Sequence, residues 1–429
     1  MTLQLDQREL DFLAGKAGPA LQLAMELVAQ AARILKATRL VPVTMVHVDA
    51  CFYVGEPHEN FAQFLVDHGA RFEIPAWTNI GPASLSDPDP SREAGDPDVA
   101  AGGKRLMALY EKLGCKPVWT CAPYQLPGGP TFGDHIVVGE SNAVSYYNAA
   151  VGARTNKYGD YLDVACGLVG KAPYARLHTD EGRRGEVLIF IEDVPEPFRR
   201  DNIFHHLVGH LVGHIAGRRI PVIDGLPEET RADDLKAISA AVASSGGVEH
   251  WHGVGVTPEA PTRAAAFGAR APEETITLRR ADLLGALREL SAAQDGPLDL
   301  VALGTPHFSP TEFEALHRLL AGRRVKAGLP VIVSTSRFVK GYIAERGLLA
   351  DIEAAGIRVI ADTCTYFTPA IREAKGRVMT NAAKWAYYAP GMLGVEVCFG
   401  SLAECVESAI AGEVKRDADL WRGFGGAAP

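Results

Sequence analysis

Three cysteines hold positions that favour chemistry, because each ends an apolar run and precedes a polar loop. They are Cys51 in "HVDACFY", Cys121 in "PVWTCAPYQLPGG" and Cys364 in "GIRVIADTCTYFTP". Thiolates are soft ligands that suit iron–sulfur clusters, and thiols at several strand ends can converge on one cluster. Packing is the alternative, since free cysteine is among the most buried residue types and the sequence has no C-x-x-C.

A histidine-rich run, "HHLVGHLVGH", raises the possibility of a second metal site. His206, His210 and His214 are four residues apart and would share one face of a helix. The spacing is similar to that of helical zinc ligands, but the glutamate of H-E-x-x-H is missing and Gly209 and Gly213 interleave. We therefore predict a helix that packs against a sheet, with the metal site as the alternative.

One lysine, Lys384, is predicted at a helix start, where a positive charge is unfavourable without an anionic partner. Lys384 in "VMTNAAKWAYY" is predicted on the first turn of a short helix that follows a strand. A positive charge there lies against the helix dipole, which favours a role in holding an anionic ligand. A solvated surface lysine is the alternative interpretation.

The elements that must position these residues predict an α/β protein. Strands are predicted in "RLVPVTMVHVDACFY", "RFEIPAWTNI", "KPVWTCAP" and "EVLIFIEDV", and helices in the first 40 residues and in "ESNAVSYYNAAVGART", which Ser141 or Asn142 would cap. Later in the chain, apolar strands alternate with amphipathic helices, which indicates a parallel sheet covered on both faces. Ligands of such sheets bind at the carboxyl ends of the strands.

Composition shifts divide the chain into four predicted parts. The segment rich in Pro and Ala is the preferred boundary. The parts are an N-terminal α/β region (1–256), a linker (257–276), a C-terminal α/β/α domain (277–415) and a tail (416–429).

The overall composition predicts a cytoplasmic protein that binds neither nucleic acid nor membrane. The 429 residues are 47% hydrophobic and 22% charged, with a formal net charge of −9 and no cluster of Lys and Arg for phosphate binding. No apolar run reaches the roughly 20 residues of a membrane-spanning helix, and the N-terminus has no signal pattern. Seven cysteines without regular spacing do not form a disulfide framework, which is expected of reduced thiols.

Several motifs, taken together and in order, carry a resemblance to a known family. They are "TCAPYQLPGGPTFGDHIVVGESNAVSYYNAAVGARTN", "GLVGKAPYARLH", "LGTPHFS", "DTCTYF" and "TNAAKWAYY". The chain resembles the large, catalytic subunit of aconitase X from about residue 8 to residue 412. The resemblance implies an aconitase-like multi-domain α/β/α fold and a hydro-lyase that uses an iron–sulfur cluster. It also implies a small hydroxy acid as the substrate.

The family motifs imply two of the cluster ligands and leave the third open. The motif cysteines correspond to Cys121 in "TCAPY" and Cys364 in "DTC". Archaeal-type members have a further cysteine in "LGCPH", where this chain has Thr305. On the position of strand ends we expect Cys51 as the third ligand, with Cys398 in reserve, and either a [2Fe-2S] or a [4Fe-4S] cluster.

Substrate contacts are expected from further motif and strand-end residues. We expect His47 and Asp49 to tune or protonate the site and Lys384 to pair with the substrate carboxylate. Residues expected to line the substrate pocket are Ser141, Asn142, Arg154 and Thr155.

The substrate and partner are predicted through the family branches. Thr305 in place of cysteine favours the bacterial branch, which dehydrates cis-3-hydroxy-L-proline to a pyrroline-2-carboxylate. The alternatives are the large subunit of a mevalonate 5-phosphate dehydratase and a non-catalytic, cluster-free binding subunit. Members also need a small swivelling domain, and no segment after residue 415 could form it, so we expect a separate small subunit or else a chain that is inactive alone.

Overall fold

Three parallel sheets follow one another along the chain. The computed structural model describes residues 2–89, 96–268, 270–366 and 375–424. The strands within these ranges are β1 (Leu40–Pro42), β2 (Val46–Val48), β3 (Ala76–Thr78), β4 (Val137–Val138), β5 (Lys171–Pro173), β6 (Val187–Ile191), β7 (Pro221–Asp224), β8 (His252–Gly253), β9 (Glu274–Leu278), β10 (Leu300–Leu303), β11 (Val331–Thr335), β12 (Arg358–Ala361), β13 (Arg377–Thr380) and β14 (Glu396–Phe399).

Helices cover these sheets. In chain order they are α1 (Gln7–Leu13), α2 (Pro19–Ile34), α3 (Glu56–Asp67), α4 (Pro97–Lys112), α5 (Ser141–Tyr146), α6 (Leu162–Val169), α7 (Glu196–Arg199), α8 (Asn202–Ala216), α9 (Ala232–Gly246), α10 (Arg263–Phe267), α11 (Arg280–Leu290), α12 (Pro310–Leu320), α13 (Arg337–Glu345), α14 (Leu348–Ala354), α15 (Ala383–Leu393) and α16 (Leu402–Ala411). None of these described helices is long and apolar enough to cross a membrane.

The first sheet has the order β3-β2-β4, with all three strands parallel. Val46 of β2 aligns with Ala76 of β3 and with Val137 of β4, and all three residues are buried. Strands β1 and β5 form a separate antiparallel pair. Because parallel strands end at the same edge, the residues that follow β2, β3 and β4 come together.

The second sheet has the order β8-β7-β6-β9 and is also parallel throughout. Its last strand, β9, begins inside the segment 257–276 that we predict to be a linker, and α10 lies wholly within that segment. The predicted division into domains stays a prediction.

The third sheet confirms the predicted parallel sheet of the C-terminal part. Its order is β12-β11-β10-β13-β14, with every neighbouring pair parallel. The residues of β10 and β11 are all buried, as expected of strands with helices on both faces. Beyond residue 415, Trp421 and Phe424 pack on Phe198, while residues 425–429 of the predicted tail lie outside the described residues.

One predicted strand is wrong. The stretch "KPVWTCAP" contributes only a bridge between Lys116 and Trp77 and then leaves the sheet. Pro117 has no N–H to donate, and Trp119 has a φ of 42°, which breaks the pleat of an extended strand. Cys121 therefore lies on a loop that crosses the end of the first sheet.

Close packing of two helices explains why the histidine-rich run contains glycines. Helices α8 and α9 touch along Gly209 and Gly213, where a Cβ on Gly213 would lie 2.0 Å from Ser245 Oγ and 2.9 Å from the Val242 carbonyl oxygen. The second of these atoms belongs to the backbone and cannot rotate away. The prediction that this run is a helix is confirmed, and its glycines permit the contact.

We predict that Gly213→Ala destabilises the protein by about 1–3 kcal/mol, because an overpacked contact must open to admit the methyl group. Gly285→Ala is the matched control, since a Cβ there meets no atom within 4 Å. Gly285 is exposed to solvent in the middle of α11, where alanine has the higher helix propensity, so Gly285→Ala should stabilise the protein by up to about 1 kcal/mol. Urea unfolding measures both, and equal free energies for the two variants would contradict the packing argument.

Candidate active site

Loops from the first and third sheets meet at the carboxyl ends of their strands. On the first sheet, Asp49 follows β2 and Glu140 follows β4. On the third, Cys364 follows β12, and Lys384 stands in the first turn of α15 after β13. The Gly81 N–H donates to the Asp362 carbonyl oxygen at 2.8 Å, which joins the loops after β3 and β12 directly.

A buried ion pair forms the centre of this meeting point. Lys384 Nζ lies 2.6 Å from Glu140 Oε1, and their side chains are only 5% and 13% exposed. Burial raises the pKa of the Glu140 carboxyl, but the Lys384 ammonium and hydrogen bonds from Lys384 and Asn142 outweigh it and lower that pKa to about 2. Burial lowers the pKa of Lys384, but the Glu140 charge outweighs it and raises that pKa well above its usual value. Both groups are therefore charged at neutral pH.

Glu140 is held by the helix that follows it. It is the N-cap of α5, and Oε1 accepts the Asn142 N–H at 3.2 Å and the Asn142 side-chain amide at 2.7 Å. The Ser141 hydroxyl lies 3.3 Å from the same carboxylate and 3.5 Å from Lys384 Nζ. The prediction that Ser141 or Asn142 would be the cap is wrong, because both residues already lie in the first turn and the Glu140 side chain accepts the Asn142 N–H.

A second carboxylate lies beside the first. Asn79 donates through Nδ2 to Asp49 and, at 3.2 Å, to Glu140 Oε2. Burial and the neighbouring Glu140 charge raise the pKa of Asp49 to about 7, with the Asn79 hydrogen bond opposing them. One carboxylate of this pair is therefore ionised at neutral pH, while the other is poised to gain or lose a proton.

Cys121 and Cys364 are brought into the same hydrophobic cluster, and both are nearly inaccessible to solvent. The His307 backbone N–H donates to Cys121 Sγ at 3.4 Å. Burial raises the pKa of the Cys121 thiol to about 12, and the Glu140 and Cys364 charges add to the rise while Lys384 and the His307 N–H oppose it. The thiol is thus protonated by itself and would become a thiolate only on binding a metal.

A neutral histidine ties together the loops that carry the two thiols. His307 Nε2 lies 2.9 Å from the Thr363 carbonyl oxygen and must donate to it, which leaves Nδ1 to accept from the Thr120 hydroxyl at 2.9 Å. Burial lowers the pKa of His307 to about 4, so this arrangement persists at neutral pH. His307 is thereby bonded to the residues that precede Cys121 and Cys364 in the chain.

His47 approaches the same network from the first sheet. Its Nε2 lies 2.9 Å from the Thr120 carbonyl oxygen, so Nε2 carries the proton, and Nδ1 is buried without a hydrogen-bond partner among the described residues. Burial lowers the pKa of His47 to about 4, with the Thr120 hydrogen bond and the Glu140 charge opposing the shift. The ring is a neutral acceptor at physiological pH.

The two candidates for the third thiol, Cys51 and Cys398, belong to other hydrophobic clusters than Cys121 and Cys364. Cys51 belongs to the core of the first sheet, where its thiol donates to the carbonyl oxygens of Val48 at 3.2 Å and Asn79 at 3.5 Å. Cys398 belongs to the core of the third sheet, with Gln294 as its partner. Within the described ranges, no set of three ligand atoms within 4.8 Å of one another includes either thiol or Cys121. The ligand roles of Cys51 and Cys398 stay predictions.

The two remaining pocket predictions fall in a separate polar network. Arg154 contacts Asp180 at 2.5 Å and the His178 carbonyl oxygen at 3.3 Å. The Thr155 backbone N–H donates to Asn148 Oδ1 at 3.0 Å. The structure therefore brings together His47, Asp49, Ser141, Asn142 and Lys384 with Cys121 and Cys364, and the substrate roles of Arg154 and Thr155 stay predictions.

Four residues of the site have no predicted role in the sequence analysis: Asn79, Glu140, His307 and Asp362. Asp362 has a φ of 71° and accepts the backbone N–H groups of Leu85 and Ser86 at 2.9 and 2.8 Å. It thereby fixes the strand end that carries Cys364. Polar residues that directly follow apolar strands were the available signal, as in "VVGES" and "LGTPH".

Comparison with known proteins agrees with this architecture. Family models for the first, second and third domains of aconitase X match residues 2–181, 185–288 and 298–411. The chain belongs to the aconitase X family. Each of the three parallel sheets falls within one of the matched domains, and the predicted aconitase X fold is confirmed.

Relatives of known activity identify the class of enzyme. A cis-3-hydroxy-L-proline dehydratase of Pseudomonas aeruginosa is 42% identical over 97% of this chain and 72% of its own length. A phosphomevalonate dehydratase large subunit of Methanosarcina mazei is 30% identical over 97% of this chain and all of its own length. The crystal structure of Thermococcus kodakaraensis aconitase X in its holo-form superposes with a TM-score of 0.84 at 29% identity, covering 95% of this chain and all of that one. This aconitase X chain is a hydro-lyase, as predicted.

We predict that Glu140→Gln costs about 3–5 kcal/mol of stability, because it leaves the Lys384 ammonium buried without a counter-charge. The double variant Glu140→Gln with Lys384→Met should recover much of the loss. The control is Glu407→Gln, which breaks the exposed pair with Arg323 and should cost less than about 1 kcal/mol. Urea unfolding of the four proteins tests this, and a double variant no more stable than Glu140→Gln would contradict it.

The raised pKa of Asp49 predicts a pH dependence of stability. The folded protein holds the Asp49 proton more tightly than the unfolded chain, in which an aspartate has a pKa of 3.8. The associated stability is therefore fully present below about pH 4 and is lost as the pH rises through about 7. Asp49→Asn should remove this loss, so its unfolding free energy should fall less between pH 5 and 8. Urea unfolding at each pH measures this. If the unfolding free energies of Asp49→Asn and of the unaltered chain change equally between pH 5 and 8, the raised pKa of Asp49 is contradicted.

Proposed function

We propose that this chain dehydrates cis-3-hydroxy-L-proline to a pyrroline-2-carboxylate. The observation that carries the proposal is the grouping of one buried ammonium, Lys384, with two carboxylates of different proton affinity, Glu140 and Asp49. The substrate is a zwitterionic amino acid. Its carboxylate would face the Lys384 ammonium, and its ammonium would face the carboxylates of Glu140 and Asp49. The 42% identity to a dehydratase of this substrate supports the same assignment.

The reaction assigns roles to the groups of the site. It removes a proton from the carbon beside the carboxylate and hydroxide from the next carbon, so that a C–H and a C–O bond break, a C=C bond forms and water leaves. Asp49 takes the proton, since a base with a pKa of about 7 is half ionised at neutral pH. Lys384 holds the substrate carboxylate as negative charge builds on it. Ser141 orients the Lys384 ammonium, and Asn142 orients the Glu140 carboxylate. His47 accepts a hydrogen bond from the substrate at Nδ1.

Cys121 and Cys364 are proposed to hold an iron–sulfur cluster. Two buried thiols beside a lysine ammonium fit part of the donor set of such a cluster, and the His307 N–H stabilises the thiolate form of Cys121. A cluster bound there supplies a Lewis acid for the leaving hydroxyl group. The chain's own contribution is to keep the thiols dry and to fix their loops through His307 and Asp362.

A separate small subunit is proposed as the partner. The Methanosarcina mazei relative, which this chain matches over its whole length, is named a large subunit. That name supports a second, smaller polypeptide as the partner of this chain.

Mevalonate 5-phosphate is the alternative substrate, and the charges of the site favour it less. Both substrates carry a carboxylate for Lys384, but a phosphate needs further cations. The described ones beside these loops already face carboxylates, since Arg337 pairs with Asp362 and Lys340 with Asp87.

Turnover and iron content together test the proposal. The chain is purified anaerobically, alone and with a co-purifying small subunit, and assayed with cis-3-hydroxy-L-proline and with mevalonate 5-phosphate. We expect iron, a visible absorption band and turnover of the hydroxyproline. Cys121→Ala and Cys364→Ala should lose the iron and at least about a hundredfold in turnover, because the Lewis acid is lost.

Cys166→Ala is the matched control, since Cys166 is equally buried but lies in the core of the first sheet on α6. Its iron content should not change. An iron-free, colourless protein would instead favour a non-catalytic binding subunit, and turnover of mevalonate 5-phosphate alone would replace the proposed substrate. The Cys51→Ala and Cys398→Ala variants assign the third ligand by the same measurement.

A further inference from the structure

Two histidines and a glutamate form a cluster that takes no part in the proposed active site. His210 and His214 are one turn apart on α8, and Glu289 lies near the end of α11. His210 Nε2 lies 3.2 Å from Glu289 Oε2, and His214 Nε2 lies 3.3 Å from Glu289 Oε1. The three ligand atoms lie within 4.8 Å of one another.

The His210 ring is buried, and the Glu289 carboxylate is its one anionic neighbour in the described contacts. Its side chain is 1% exposed, Nδ1 makes no hydrogen bond with the described residues, and Nε2 lies 3.2 Å from the Glu289 carboxylate without the alignment of a hydrogen bond. A buried ring nitrogen without a partner costs free energy. A bound cation would satisfy the Nε2 lone pair that points to the cluster.

The distances suit a tetrahedral metal ion. Zinc binds His nitrogen and carboxylate oxygen at roughly 2.0–2.1 Å, so two ligand atoms in a tetrahedron are separated by about 3.3 Å. Each contact taken singly, 3.2 Å to Oε2 and 3.3 Å to Oε1 of Glu289, has about that length, so a small rotation of the exposed carboxylate turns one oxygen toward both imidazoles. His214 and Glu289 are 42% and 53% exposed, which opens the cluster to solvent for entry of the ion and for a water ligand.

We propose that His210, His214 and Glu289 form a binding site for a divalent transition metal of the Zn²⁺ class. The ion clamps α8 to α11 with two imidazoles and one carboxylate, and water completes its coordination. This site is separate from the iron–sulfur centre and does not depend on the proposed function.

The chain contains a second cluster of the same composition that serves as a comparison. His250, His252 and Glu259 also have ligand atoms within 4.8 Å of one another. There, the Arg183 guanidinium donates to both oxygens of Glu259 at 2.6 to 3.0 Å, and His252 Nε2 donates to the Arg183 carbonyl oxygen. A cation already occupies that carboxylate, whereas the partners of Glu289 in the described contacts are His210 and His214.

The position of the proposed ion connects it to the helix that carries Lys384. The Tyr387 ring of α15 lies 5.9 and 6.1 Å from the rings of His210 and His214. On the same face of α8, His206 Nδ1 accepts the N–H of Ala383, the first residue of α15. An ion that holds α8 in place therefore also steadies the start of α15.

Zinc binding to the full chain tests the proposal. Equilibrium dialysis with Zn²⁺ is followed by metal analysis, using protein with Cys121→Ala and Cys364→Ala so that those thiols cannot bind the added zinc. We expect one saturable Zn²⁺ per chain. His214→Ala and Glu289→Gln in that background should each weaken binding by roughly tenfold or more. Both side chains are half exposed, so these variants should fold, and circular dichroism without metal checks it.

His317→Ala is the matched control, because His317 forms a His–carboxylate pair with Asp351 that has no third ligand among the described residues. Its zinc affinity should equal that of the parent. Equal affinity in the parent, His214→Ala and Glu289→Gln would overturn the site, as would the absence of saturable binding to the parent below about 100 µM Zn²⁺.

Discussion

The rest of the site depends on one buried ion pair, that of Lys384 with Glu140. Neither charge could be buried alone, because the desolvation of an unpaired ion costs several kcal/mol. Since Glu140 follows a strand of the first sheet and Lys384 follows a strand of the third, their attraction holds the carboxyl ends of the two sheets together. The helix start at α5 and the Asn142 amide fix the geometry of the pair from one side.

The chemistry of the site follows from the charge that the pair places there. The ionised Glu140 makes a second negative charge nearby unfavourable, so Asp49 keeps its proton to about pH 7. The Lys384 charge has the opposite effect on Cys121, whose thiolate it stabilises against burial. A single buried pair thereby raises the pKa of a carboxyl group on one side and lowers the pKa of a buried thiol on the other.

The sequence predicted that Cys364 and Lys384 follow strands, because a polar residue after an apolar strand is a local signal. It did not predict which strand ends face each other, since that depends on how separate sheets pack. Glu140 and His307 were missed for this reason, although both lie within the quoted motifs. The predicted strand through Trp119 failed because its backbone conformation is imposed by the loop that carries Cys121 across the sheet. The resemblance to aconitase X supplied the fold and the reaction class, which spacing alone left open.

The charge state of Glu140 tests the central claim most directly. It can be followed by the side-chain carboxyl ¹³C resonance in protein labelled at glutamate, assigned by its loss in Glu140→Gln. A carboxyl paired with Lys384 and a pKa of about 2 predicts no protonation shift in that resonance from pH 8 down to pH 4, measured in the Asp49→Asn background so that the Asp49 titration does not perturb it. A titration midpoint above pH 4 would show that the pair does not hold Glu140 ionised, and would contradict the account of the site.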